Sequence, residues 1–445
     1  MKLKRHLSQT QFIAYGFFII ILTGALLLSL PVASRDGQGE PFLNCLFTAT
    51  SATCVTGLVV ADTWTQWSFF GQLVLLAMIQ LGGLGFITIG IFLSIILRRR
   101  IGLKERGLME ESINTLQIGG MVRLARRIIL GTLMFEGAGA ILLSIRFIPV
   151  YGFLRGLWYG IFHSISAFCN AGFDLMGHTE KYISLCGYTG DWLVIGVISA
   201  LIIVGGIGFI VWDDLVKHKF RLRSCLLHTK LVIVTTSLLL AVSAVLFYIM
   251  EKDNLLAGMG PGETFLACFF SAVTPRTAGF NSLDTAALTD GSKFLSAVLM
   301  FIGGSPGSTA GGIKTTTLAV MLLCVWSSVR QSHGVEVFGR RLEEEAILQS
   351  ARILTINLGL MVAASIAIMA AQNLPLSDVL FETCSAMGTS GMSTGITRSL
   401  NSFSRLILIF LMYCGRIGSL SFALAFTRST RKPHIQLPKE RITIG

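Results

Sequence analysis

The sequence predicts an all-α polytopic membrane protein built from four pseudo-symmetric units, each a span, a short helix and a second span. Three observations carry this expectation. The 445-residue chain is 53% hydrophobic and only 13% charged, with a mean hydropathy of +0.71, a balance too apolar for a soluble globular domain. Apolar stretches of about 20 residues, the length that crosses a bilayer, recur along it. A fixed spacing from a phenylalanine to a glycine recurs four times between those stretches.

Taken in order, full-length spans are expected at Phe12 to Val32, Trp67 to Leu97, Ile128 to Val150, Trp192 to Leu215, Leu231 to Met250, Phe294 to Trp326, Ile353 to Ala371 and Leu406 to Phe426. Within each successive pair lies a shorter apolar stretch: Phe42 to Thr53, Leu157 to Phe168, Thr264 to Val273 and Leu376 to Met387. At about 1.5 Å rise per residue, none of these crosses a hydrocarbon core about 30 Å thick, so they read as re-entrant or interfacial helices. The expected units are residues 1–110, 111–222, 223–340 and 341–430, with a tail of 431–445. The first span follows MKLKRH and has Ala33 near a signal-peptide cleavage position. Its length of about twenty residues exceeds the 7–15 of a signal core, and the first unit needs it, so it is expected to be retained.

The four short stretches align without gaps. FTATSATCVTG ends at Gly57, FHSISAFCNAG at Gly172, FFSAVTPRTAG at Gly279 and FETCSAMGTSG at Gly391, each followed by a large apolar residue. One such glycine alone would read as a helix cap or tight turn, where φ > 0 is needed. Four at one spacing, each between two spans, point elsewhere. Irregular backbone at membrane depth persists only where protein buries it or it lines a water-filled path. Four such segments about one axis would present backbone carbonyls in place of an ion's hydration shell.

Span, short helix, filter glycine and span, four times in one chain, resembles the Trk/Ktr/HKT superfamily of potassium transporters over essentially the whole length. The Ktr-type membrane subunit is the nearest likeness, because the extra pair of N-terminal helices expected of Trk-type subunits is missing. The resemblance implies one central ion pore whose filter lies at Val55, Thr56, Gly57 and Leu58; Asn170, Ala171, Gly172 and Phe173; Thr277, Ala278, Gly279 and Phe280; and Thr389, Ser390, Gly391 and Met392. In that family a serine at the first glycine position accompanies sodium permeation; glycine at all four favours potassium. A sodium or poorly selective monovalent cation pathway is the alternative of the same class.

The second spans carry glycine-rich middles: QLGGLGF from Gln80, VGGIGF from Val204, GGSPGSTAGGIK from Gly303 and CGRIGS from Cys414. In the first two, small residues are expected to serve close helix packing. The third holds five glycines and a proline between Gly303 and Lys314, so its helix should break in mid-bilayer. It falls short of a phosphate-binding loop, because Ile313 separates Gly312 from Lys314 and no strand precedes it. No nucleotide is expected on this chain, and no covalently bound cofactor. The resemblance implies that Gly303, Gly304, Ser305, Pro306, Gly307, Ser308, Thr309, Ala310, Gly311, Gly312, Ile313 and Lys314 form a flexible intramembrane gate below the filter. Arg416 lies near the same register in the fourth unit. An arginine at the centre of a span costs about 2.5–3.5 kcal/mol and should face a cavity or a partner. The resemblance puts it beneath the filter, restraining the gate; the other reading is that it only binds neighbouring carbonyls.

The net charge is +12. With the N-terminus inside, most of the 36 lysines and arginines fall in Lys2–Arg5, Arg98–Arg127, Lys217–Lys230, Arg330–Arg352 and Arg428–Arg441. That excess follows the positive-inside rule, giving two cytoplasmic termini in the cell membrane and filters opening outward. Anionic membrane lipids, not nucleic acid, account for the basic balance. Outside, Asp62, Asp174 and Asp284 lie just past filter glycines. They either concentrate cations at the mouth or are solvated loop charges.

Glu136 is expected to hydrogen-bond between helices, and His163 and Cys169 to pack. The 9 cysteines contain no C-x-x-C and no His/Cys cluster, so neither a zinc site nor a disulfide framework is expected. A membrane-embedded hydrolase using Ser305 or Ser308 lacks a G-x-S-x-G elbow, H-E-x-x-H and a paired base. The chain is not expected to be an enzyme. The Ktr likeness also implies a homodimer regulated by a separate cytoplasmic ring of RCK proteins that bind nucleotide.

Overall fold

The computed structural model describes residues 8–85, 88–90, 121–332, 334–419 and 422. Along it the order long helix, short helix, second helix occurs four times. First come α1 (Gln9–Leu28), α2 (Phe42–Thr53) and α3 (Phe69–Leu84). Next are α4 (Met121–Tyr151), α5 (Phe153–Phe168), α6 (Trp192–Gly206) and its bent continuation α7 (Phe209–Lys217). They are followed by α8 (Leu227–Glu251), α9 (Pro261–Val273), α10 (Asp290–Ile302) and α11 (Thr315–Val329). Last are α12 (Glu344–Ala371), α13 (Leu376–Gly388) and α14 (Ser402–Ile417). A two-stranded hairpin, β1 (Glu336–Val337) against β2 (Arg340–Arg341), interrupts the helical pattern in the linker before α12.

Helices α1, α4, α8 and α12 are long and apolar enough to cross a membrane. The chain is a multi-pass membrane protein by that measure. Helices α8 and α12 begin before the hydropathic boundary, at Leu227 and Glu344, because polar residues there continue the helix past the apolar core. One face of each carries large exposed apolar side chains, such as Phe18, Ile19, Leu238, Val245 and Ile366, as lipid-facing positions require. The opposite faces of α1 and α4 close on a core that includes Phe162, Phe168, Phe173, Phe270 and Phe280, whereas α12 packs Ala364 and Ile368 into a second cluster with Leu408 and Met412.

The four short helices span 12–16 residues and begin beside a proline or glycine: Pro41, Gly152, Gly260 with Pro261, and Pro375. Each second helix starts with a side-chain cap on an orphan N–H: Ser68, Asp191, Thr289 and Asn401. The turn chemistry therefore repeats even where the residues differ.

Three of the second spans depart from expectation; for that of the third unit, a break over Gly303 to Lys314 is expected. None of the four runs straight through. Each helix stops at a glycine with positive φ: Gly85 (78°), Gly208 (102°), Gly303 (56°) and Gly418 (93°). In the second unit, α6 and α7 meet at 91°. Hydropathy reports that a stretch is apolar, not that its backbone continues in one direction. The glycines of QLGGLGF and VGGIGF thus do two jobs. Gly82 and Gly205 let a short-helix carbonyl, that of Thr53 or Phe168, approach the helix, and Gly415 does the same for Met387. Gly85 and Gly208 break it. The basic segments Lys2–Arg5 and Arg428–Arg441, most of Arg98–Arg127, the far ends of the spans Trp67 to Leu97 and Leu406 to Phe426, and the tail 431–445 lie outside the described residues.

Candidate functional site

The four short helices end beside one another. In every unit the residue two before the glycine is left-handed: Val55 (φ 57°), Asn170 (58°), Thr277 (68°) and Thr389 (52°). The glycines follow suit, at 89°, 70°, 80° and 83° for Gly57, Gly172, Gly279 and Gly391. A non-glycine residue in this region costs on the order of 1–2 kcal/mol, so a conformation held four times is imposed by the surroundings.

The glycines make a closed ring. A Cβ added to Gly57 would meet the carbonyl oxygen of Ala171, and one on Gly172 that of Ala278 at 2.5 Å. On Gly279 it would meet the oxygen of Ser390 at 2.5 Å, and on Gly391 that of Thr56. Each unit thus abuts the next in chain order, and the fourth returns to the first. The C-terminal, negative ends of four helix dipoles lie just behind this ring, a disposition that favours a cation by about 0.3–1 kcal/mol per helix.

Bonds behind the ring fix the turns. Ser51 accepts from the Gly57 N–H at 3.0 Å; Ser166 donates to the Phe173 carbonyl at 2.7 Å, and Thr274 to that of Phe280 at 2.5 Å. Ser390 ties the third unit to the fourth, donating to the Pro275 carbonyl at 2.5 Å and accepting from the Thr277 N–H at 3.1 Å. The side chain of Asn170 lies 3.2 Å from Thr277 Oγ1 and links the second unit to the third. Leu58, Phe173, Phe280 and Met392 are buried packing residues, and the oxygens of Phe173 and Phe280 are occupied by those hydroxyls.

Residues Gly303 to Lys314 are non-helical and pass beneath the ring. A Cβ on Gly311 would meet the Thr389 side chain, and one on Gly312 would lie 3.1 Å from Gly388. The loop is held chiefly by the second unit. Ser305 N–H donates to Gly206 O at 3.0 Å, Thr309 N–H to Gly205 O at 3.3 Å, and Thr309 Oγ1 to Phe168 O at 3.2 Å. In return, Phe209 N–H donates to Gly307 O at 2.7 Å. Lys314 folds back onto its own loop, donating to Ala310 O at 2.8 Å and Gly311 O at 3.1 Å.

Arg416 is the bolt across this assembly. Its guanidinium donates to the carbonyls of Thr309, Gly82 and Gly83, the last at 2.9 Å, joining the loop to the first unit. The reading of Arg416 as a binder of neighbouring carbonyls describes these bonds. Arg416 and Lys314 line a cavity of about 310 Å³ on the loop side of the ring, with Gly85, Asn357 and Gly418 in its wall.

Above the ring is a smaller cavity of about 60 Å³, bordered by all four ring glycines, Asp62, Asp174, Ser184 and Arg398. Asp62 accepts from the N–H groups of Thr65 at 2.9 Å and Tyr182 at 3.1 Å. Burial pushes the Asp174 carboxyl up to about 7, with the Asp62 charge adding to the effect. Arg398 stacks on Tyr182, its guanidinium carbon 3.5 Å from the ring centroid. Asp284 is different: it is exposed and caps Ala286 N–H at 3.0 Å, as a solvated turn residue does.

Other expectations resolve simply. Glu136 accepts from Gln80 Nε2 at 3.0 Å, a helix-to-helix bond, and Cys169 packs beside both. His163 is packed, 2.7 Å from Tyr159 O and accepting from Leu175 N–H at 3.3 Å. Sequence reasoning missed the couplings through Asn170 and Ser390 and the restraint by Phe209. Only the polar identity of Asn170 and Ser390 at filter positions hinted at them.

A multi-pass helical protein with four re-entrant turns closed into a ring, and a broken helix beneath it, is the class defined by this geometry. The chain belongs to the TrkH family, described as "Cation transport protein", whose profile matches residues 3–435. It is 38% identical to the potassium/sodium uptake protein NtpJ of Enterococcus hirae, covering 100% of this chain and 99% of that one. It is 39% identical to the Ktr system potassium uptake protein B of Bacillus subtilis, covering 98% and 96%. The fold matches the crystal structure of the potassium transporter TrkH from Vibrio parahaemolyticus with a TM-score of 0.71 at 17% identity, over 96% of this chain and 87% of that one.

Proposed function

We propose that the chain takes up potassium across the cell membrane through a channel-like pore on the axis of the glycine ring. The ring carries the reading: four equivalent glycines, each against a main-chain oxygen of the next unit, set the carbonyls of Thr56, Ala171, Ala278 and Ser390 in cyclic order. Such oxygens replace the hydration shell of a monovalent cation, and the helix ends behind them favour its charge. Val55 to Leu58, Asn170 to Phe173, Thr277 to Phe280 and Thr389 to Met392 form the filter in this reading, one stretch from each of the units 1–110, 111–222, 223–340 and 341–430. The relatives named for potassium uptake support it.

The loop Gly303–Lys314 is the gate, and Arg416 holds it closed. A cation leaving the ring inward meets this loop and the Arg416 charge before the inner cavity. Both termini are cytoplasmic, the functional protein is a homodimer, and a separate RCK-type ring acts on the basic inner surface. Sodium permeation is the second reading, favoured by the likeness to the potassium/sodium uptake protein of Enterococcus hirae. Proteoliposomes with the purified protein, with and without its regulator, decide between them. Uptake of rubidium and potassium well above sodium is expected; equal fluxes would establish the second reading, and none with the regulator present would overturn both.

A further inference from the structure

Three potential metal ligands meet where the second unit passes into the third. Asp214 and His218 end α7, and Cys225 precedes α8; one ligand atom of each lies within 4.8 Å of the other two. Asp214 and Cys225 are buried, whereas His218 keeps access to water. The spacing matches no zinc motif, because six residues separate His218 from Cys225.

The carboxylate of Asp214 is already aimed. Its Oδ2 accepts from Leu226 N–H at 2.9 Å and from Thr229 Oγ1 at 2.6 Å, leaving Oδ1 3.0 Å from His218 Nδ1, which also lies 3.0 Å from the Asp214 backbone carbonyl. Its neighbour Asp213 instead takes the ion pairs with Arg127 and Lys217. Outer bonds that orient a carboxylate in this way are what metal sites use. An oxygen, an imidazole nitrogen and a thiolate suit zinc or a similar transition-metal dication, with water as the fourth ligand. At metal–ligand lengths near 2.0–2.3 Å, the observed ligand spacing needs only small rotations to close.

The position gives such a site a consequence. Helix α7 is only 9 residues long; its first residue, Phe209, holds the Gly307 carbonyl of the loop, and its last turn holds Asp214. We propose that Asp214, His218 and Cys225 bind a zinc-type dication that clamps α7 to the start of α8 and so keeps the loop closed. The coupling, not the binding, rests on the gating role proposed for Gly303–Lys314. Coordination breaks the contacts of His218 Nδ1 with the Asp214 backbone carbonyl and of Cys225 Sγ with the Arg221 carbonyl, shifts the imidazole proton to Nε2 and releases the Cys225 thiol proton to solvent, with no redox change.

The test uses the full-length protein in detergent and in liposomes. Cobalt(II) titration is expected to give a thiolate charge-transfer band saturating at one metal per chain, absent in C225S and weakened at least tenfold in H218A. Zinc on the inner face is expected to reduce rubidium flux severalfold in the wild type and to leave C225S unaffected, with metal-free flux equal in both. No thiolate band, or the same band in C225S, overturns the site and leaves the transport reading untouched. A normal band with zinc-insensitive flux overturns the clamp.

Discussion

Glycine at position 57 is required on two counts: its φ of 89° disfavours any L side chain, and a Cβ there would strike the main-chain oxygen of Ala171. A serine would therefore act through the neighbour, displacing one oxygen of the ring rather than adding a ligand of its own. Gly57→Ser is expected to lower the potassium-over-sodium flux ratio about tenfold or more in liposomes; an unchanged ratio would remove Gly57 from the filter. Asp174 yields a second prediction. Its carboxyl is held near 7 by burial and by Asp62, with Arg398 across the same cavity. Below that pH it is neutral and above it charged, so cation entry should rise as the pH on the Asp174 side of the ring climbs through about 7. Asp174→Asn should flatten that step in a flux–pH profile. These glycines were legible from the sequence because spacing survives where side chains vary. The αL residues before them were not, since Val55 and Thr277 have no compositional preference for positive φ.

At the scale of elements, the loop depends on how the second helices end. Gly208, at φ 102°, sits 2.7 Å from the Pro306 carbonyl measured from an added Cβ, and the next N–H holds Gly307. Gly208→Ala should push the loop from its place, raise basal rubidium flux severalfold and lower stability by about 1–3 kcal/mol in thermal unfolding. Arg416→Gln removes the charge and the bolt between Thr309, Gly82 and Gly83 while keeping the chain apolar enough to insert. Basal flux should rise again; unchanged transport and unchanged regulation would remove Arg416 from the gate. The short helices could be read directly, because their lengths are too small for a span. Breaks at Gly85, Gly208 and Gly418 could not, because apolar flanks on both sides of a glycine look the same whether the helix continues or turns. The partners of Arg416 are backbone carbonyls from two other units, and no side-chain pattern encodes them.

For the molecule as a whole, one chain supplies all four quarters of a ring, so their small differences are fixed and not averaged by symmetry. The second unit cradles the loop, the third supplies it, and the fourth bolts it to the first. A cation bound by the folded ring and not by the unfolded chain must stabilise the fold, and at ten times its dissociation constant it adds about 1.4 kcal/mol. Melting of the purified protein in potassium should exceed that in sodium at equal ionic strength. The most direct measurement is an anomalous difference map from crystals grown in rubidium. The account predicts a peak on the ring axis, bounded by the carbonyls of Thr56, Ala171, Ala278 and Ser390. A well-ordered ring with no peak there, or rubidium bound only elsewhere, would contradict it.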